Sequence, residues 1–175
     1  MEDRFGHHIS YLRVSITDRC NERCSYCMPQ ELQEWLPRED VLTYEETHRL
    51  IRIATELGVS KIRITGGEPL TRRDVLSFFE MLRSVAGIRD LGLSTNGTLL
   101  SRRTASDRTM AEALYAAGVN SVNISLDTLD RDAYAQITGR DFLSQTLSGI
   151  DAVIAAGFRQ IKLNCVLMRG RNEDQ

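Results

Sequence analysis

Five short segments of this chain alternate apolar and polar residues with a period of two, and between them apolar residues recur at three and four. Leu12, Val14 and Ile16 share one face of the first segment, while Arg13 and Ser15 share the other. Ile62 and Ile64 oppose Arg63, and Leu91 and Leu93 oppose Gly92 and Ser94. Val122, Ile124 and Leu126 oppose Asn123 and Ser125, and Ile161 and Leu163 oppose Lys162 and Asn164. Between these strands the spacing predicts helices. One runs from Thr43 to Gly58, with Thr43 and Glu46 at capping-box spacing and Gly58 as the stop. Another runs from Thr71 to Ala86, with Thr71 and Asp74 at its start and Val75, Phe78, Phe79 and Leu82 on one face. Met110, Leu114 and Ala117 mark a third, residues 133–137 a short piece, and Leu143 to Ile154 a last one ending at Gly157. Strand then helix, four times over, predicts an α/β fold with a parallel sheet and right-handed crossovers.

The one-sided strands narrow that further. Strands of a doubly wound sheet are covered on both faces and read as continuous apolar runs. Here helices cover only the apolar side, so the polar side lines either water or a ligand. A partial (β/α) barrel, ending after about five strands, gives that polar side a concave, ligand-lined interior. Three cations on it, Arg13, Arg63 and Lys162, favour an anionic ligand. Ser101–Thr109 reads as a polar surface loop, and no linker divides residues 1–175, so one domain is expected. The formal charge is −2, which excludes binding nucleic acid through bulk positive charge. No apolar run approaches the ~18 residues of a membrane span, and the start MEDRFGHHIS has no apolar signal core. The expected address is the cytoplasm.

Three of the four cysteines, Cys20, Cys24 and Cys27, fall in the spacing C-x3-C-x2-C directly after the first strand, at its carboxyl end. An odd number in a chain of this kind fits disulfides poorly. Thiolates are soft ligands for iron–sulfur clusters or zinc. Three of them on a four-iron cluster leave one iron open to a substrate or cofactor, and a zinc module needs a fourth ligand from elsewhere. Cys165, on the apolar side of the fifth strand, reads as core. His7 and His8 read as an exposed terminal pair.

The triplet with Tyr26 before its last cysteine resembles the radical S-adenosylmethionine (SAM) superfamily, as does Thr65-Gly-Gly-Glu-Pro-Leu70 after the second strand. The order LRVSITDRCNERCSYCMP, KIRITGGEPLTRRD, LSTNG, VNISLDTLD, ITGRD resembles one family in it, the GTP 3′,8-cyclases of molybdenum cofactor biosynthesis, from about Phe5 to Asn172. The resemblance implies that Cys20, Cys24 and Cys27 hold a [4Fe–4S] cluster and that SAM binds its open iron. Reductive cleavage then yields a 5′-deoxyadenosyl radical that abstracts hydrogen from the ribose of GTP, giving (8S)-3′,8-cyclo-7,8-dihydroguanosine 5′-triphosphate. Tyr26, Gly67 and Ser125 match positions that contact SAM, and Arg13, Arg63, Ser94 and Lys162 match positions that contact GTP. Implied partners are an electron donor and a cyclic pyranopterin synthase downstream, and a homodimer is compatible with the family.

The departures are equally specific. The family carries a second cysteine triplet for a second cluster, a sixth strand, a SAM-contacting methionine and a C-terminal glycine pair, none of which stands in this sequence. His7 stands where the family often has arginine. The chain reads as the N-terminal portion of the radical SAM core, expected to hold one cluster and SAM without completing the cyclisation. A radical SAM enzyme of another specificity and a non-catalytic zinc module are the competing readings.

Overall fold

In the computed structural model, which describes residues 2–28 and 34–174, the five strands form one parallel sheet in the order β1-β2-β3-β4-β5. They are β1 (Tyr11–Ser15), β2 (Lys61–Thr65), β3 (Asp90–Thr95), β4 (Ser121–Ser125) and β5 (Gln160–Asn164). A doubly wound sheet reverses its order partway along. This one grows from one edge to the other in chain order, as a barrel wall does. No helix among the described residues is long and apolar enough to cross a membrane.

The helices are α1 (Tyr44–Glu56), α2 (Val75–Arg83), α3 (Met110–Ala116), α4 (Arg131–Thr138) and α5 (Leu143–Ala155). Thr43 caps α1 with the expected reciprocal bonds to Glu46, and Thr109 with Glu112 repeats the device at α3. One apolar layer joins Ile62, Ile64, Leu91, Leu93, Val122 and Ile124 of the sheet to Ile51, Phe78, Phe79, Leu82, Leu114 and Val153 of the helices. Each of these is at most 3% exposed, and full burial of such a side chain contributes roughly 1.5–3 kcal/mol. The edge strands are less covered: Leu12 and Val14 are half-buried, and Leu163 is 50% exposed.

Two expectations change. The second helix begins at Val75, not Thr71; residues Pro69–Thr71 form a 3-10 turn and Asp74 takes a left-handed φ of 57° without capping. Glu68 is the cause, because its side chain accepts the Leu70 N–H and its carbonyl accepts the Thr71 hydroxyl. Arg72 is drawn inward too, onto the carbonyls of Ile16 and Leu42 and over the Tyr44 ring at 4.2 Å. Cys165 is also not core. β5 ends one residue before it, and its thiol is exposed beside the Asp127 carbonyl.

Candidate functional site

The segment after β1 and the segment after β2 are joined backbone to backbone. Ile16 N–H donates to Thr65 O, Gly67 N–H to Thr17 O at 2.8 Å, and Glu68 N–H to Arg19 O at 2.8 Å. A Cβ on Gly66 would lie 2.5 Å from Thr17 O, and one on Gly67 2.4 Å from Arg19 O. Glycine is required there by the approach of the cysteine loop itself.

Glu68 locks this junction to β3. Its buried carboxylate accepts from Leu70 N, from Thr95 Oγ1 at 2.8 Å and from Asn96 N at 2.7 Å. Burial lifts it to about 7 against the opposing pull of those bonds. Asn96 Nδ2 donates to Asn21 Oδ1, and Asn21 Nδ2 donates to Thr98 Oγ1, which ties the cysteine loop to the end of β3. From the other side, the Tyr134 hydroxyl of α4 donates to Glu22 Oε1 at 2.6 Å, and Arg23 N and Ser25 N donate to the carbonyls of Thr138 and Ile137. The Tyr26 hydroxyl donates to Asp127 Oδ2 at 2.8 Å, and Asp127 Oδ1 accepts from Val166 N. No buried side-chain polar atom among the described residues lacks a partner.

On this braced loop Cys20 and Cys24 are half-buried and Cys27 is exposed, all as free thiols. Burial pushes the Cys20 thiol up, and burial with the nearby Glu22 pushes Cys24 up to about 12. Such thiols become ligands only when a metal displaces their protons. Among the described residues no three His, Cys, Asp or Glu side chains converge to hold a single metal ion. Tetrahedral zinc needs its sulfurs about 3.8 Å apart, from Zn–S bonds of about 2.3 Å. Three soft thiols on one loop are the donor set of an iron–sulfur cluster, each free to take one iron. His7, exposed and paired with Asp3 at 2.9 Å, and exposed His8 lie on the N-terminal segment. Pro29 of the Met-Pro pair lies outside the described residues.

Below the loop, strand register arranges the polar face in rows. Arg13, Arg63, Gly92, Ser121 and Gln160 are successive partners across all five strands. Ser94, Asn123 and Lys162 are successive partners one step nearer the cysteines. Ser125 pairs with Asn164 a further step up, level with the rim. The structure thus brings Arg13, Arg63, Ser94 and Lys162 together on one face, in two adjacent rows. Cys20, Cys24, Cys27, Tyr26, Gly67 and Ser125 sit at or near the carboxyl ends of the strands above them. Among the described residues neither Arg13 nor Lys162 has a side-chain hydrogen bond or ion pair. A separate cleft of about 380 Å³ lies outside the cysteine loop, between Thr17–Arg19, Tyr44 and Arg72, and contains none of these residues.

Sequence reasoning missed Glu22, Asp127 and Tyr134. Glu22 carried a signal, a carboxylate between two cysteines of the triplet. Asp127 and Tyr134 gave none, because their partners are 101 and 112 residues away.

A loop of three thiols and a Gly-Gly-Glu turn, at the carboxyl ends of the first two strands of a barrel wall, define a class, and the comparisons agree. The sequence model of the radical SAM superfamily matches residues 14–175, and the chain belongs to that superfamily. Its cofactors are a four-iron cluster and SAM, and the donor set here fits them. The structure is similar to the crystal structure of Streptococcus suis SuiB bound to S-adenosylmethionine, with a TM-score of 0.69 and 18% identity over 91% of this chain and 33% of that one. The sequence is more specific. It is 51% identical to GTP 3′,8-cyclase of Marinobacter nauticus and 46% identical to that of Thermodesulfovibrio yellowstonii, in each case over the whole of this chain. The chain spans about half the length of these relatives, 50% and 52%.

Proposed function

We propose that this chain is the cluster- and SAM-binding core of a GTP 3′,8-cyclase of molybdenum cofactor biosynthesis. The observation that carries the reading is the vertical order of the site: thiols at the rim, Ser94 and Lys162 one row below the rim row, Arg13 and Arg63 a row deeper. Together the cluster and SAM supply one-electron chemistry that ends in abstraction of a hydrogen atom from the substrate. The chain's own groups do the rest. Cys20, Cys24 and Cys27 hold the cluster, and the tether from Tyr26 to Asp127 fixes the orientation of the loop. Gly67 and Ser125 border the SAM position at the rim. Arg13, Arg63 and Lys162 hold the anionic substrate from beneath, the arginines by forked donors and the lysine as a point charge, and Ser94 offers a hydroxyl. The reaction needs an external one-electron donor and a closed, dry site. The cytoplasm is its place, and a cyclic pyranopterin synthase consumes its product.

The test is calorimetric titration of the anaerobically reconstituted chain with GTP and with ATP. Saturable GTP binding that weakens about tenfold in Lys162→Ala at unchanged iron content supports the reading. SAM cleavage with no affinity for GTP, in a version restored to the length of the relatives, contradicts it and favours a radical SAM enzyme of another specificity.

A further inference from the structure

Arg63 does not point where its strand position alone would send it. Its register partner on β1 is Arg13, a like charge directly opposite. Its partner on β3 is Gly92, and the next residue of the row is Ser121 on β4. The Arg63 side chain leans away from Arg13, crosses Gly92 and ends on β4. There Nη2 donates to Ser121 Oγ at 3.0 Å, and Nη1 donates to Leu93 O at 3.0 Å.

Two features make this crossing specific. Ser121, 4% exposed, donates its single proton to Asp90 Oδ1 at 2.9 Å. With that proton committed, the hydroxyl faces Arg63 only as an acceptor. Gly92 leaves the path open: a Cβ there would lie 2.6 Å from the guanidinium carbon and 2.7 Å from Ser121 Oγ. Any other residue at position 92 would displace the guanidinium or the serine.

We propose that Asp90, Ser121 and Gly92 are positioning residues that hold the Arg63 guanidinium over the middle of the concave face. Two of its five N–H donors are fixed by Leu93 O and Ser121 Oγ, which sets the plane of the group. The Nε–H and one N–H on each Nη remain for the ligand. A guanidinium held in this way loses little freedom on binding a phosphate or carboxylate. This inference rests on reading the face as the substrate site, and it adds residues to which that reading assigns no role.

The arrangement is read first without ligand, from the side-chain NMR signals of Arg63 in the 15N-arginine-labelled full chain. In the wild type, both Nη groups are held and rotate slowly. In Ser121→Ala, and in Gly92→Ala if it folds, that rotation becomes fast. Unchanged Arg63 signals in Ser121→Ala overturn the proposal. GTP affinity is read second. Ser121→Ala weakens it about 3- to 10-fold, and Asp90→Asn, which keeps an acceptor for the serine proton, weakens it less. On an Arg63→Ala background, Ser121→Ala has no further effect, because it acts only through the arginine. Independent, multiplying losses from the two substitutions also overturn the proposal. A wild-type protein restored to the length of the relatives that has no affinity for GTP would count against the proposed function, while the NMR comparison would still decide the positioning.

Discussion

The rim and the floor of this concave face are built on opposite rules. At the rim nearly every polar group is committed to another protein group: Glu68 to three donors, Asn96 to Asn21, Glu22 to Tyr134, Tyr26 to Asp127. In the two rows below, Lys162 and, deeper, Arg13 have no such partner among the described residues, and Arg63 has two of its donors engaged. The difference separates two tasks. A loop that must present three thiols in fixed geometry is rigidified by its own network. On the proposed function, a face that takes up a charged ligand keeps its charges available. Substitutions at the rim therefore cost stability or the cluster, and substitutions on the floor cost binding.

The largest effect is expected from Cys24→Ala, which loses the bound cluster. Iron and sulfide analysis after anaerobic reconstitution should fall from about four irons per chain to a residual level. Next is Glu68→Gln. The amide keeps one oxygen for Leu70 N and Thr95 Oγ1 but turns its N–H2 on the donor Asn96 N, so urea denaturation should show a loss of about 2–4 kcal/mol. Tyr134→Phe removes the hydrogen bonds to the buried Glu22 carboxylate and to Thr146 Oγ1 and should cost about 1–3 kcal/mol in the same assay. The floor gives the contrast: Lys162→Ala should leave the urea midpoint unchanged while weakening GTP binding, most visibly at low salt. A Lys162→Ala chain that unfolds, or a Glu68→Gln or Tyr134→Phe chain that weakens GTP binding at full stability, would break the comparison.

How much of this was legible in the sequence follows from the range of each interaction. The one-sided alternation at residues 61–65 and 121–125 announced strands with a polar face, because side-chain direction is a local property. Thr43 with Glu46 announced the start of α1, because a capping box closes within four residues. The late start of α2 was hidden, since the Glu68 carboxylate that sets it is itself held by Thr95 and Asn96 of another strand. Cys165 looked like core by alternation, but the strand stops before it and the residue is exposed. The cysteine spacing and the Gly-Gly pair pointed to the site. The sequence offered ligand approach as the reason for those glycines, whereas the structure adds a second one, the carbonyls of Thr17 and Arg19. The lean of Arg63 over Gly92 onto Ser121 involves three strands, and no local pattern encodes it.

The central claim is that this loop holds a four-iron cluster with one corner open to SAM. Electron paramagnetic resonance of the anaerobically reconstituted, reduced chain, recorded with and without SAM, tests it directly. The account predicts a reduced-cluster signal that changes on adding SAM and disappears in Cys24→Ala. A signal indifferent to SAM, one that survives the loss of Cys24, or no cluster signal at all would contradict it.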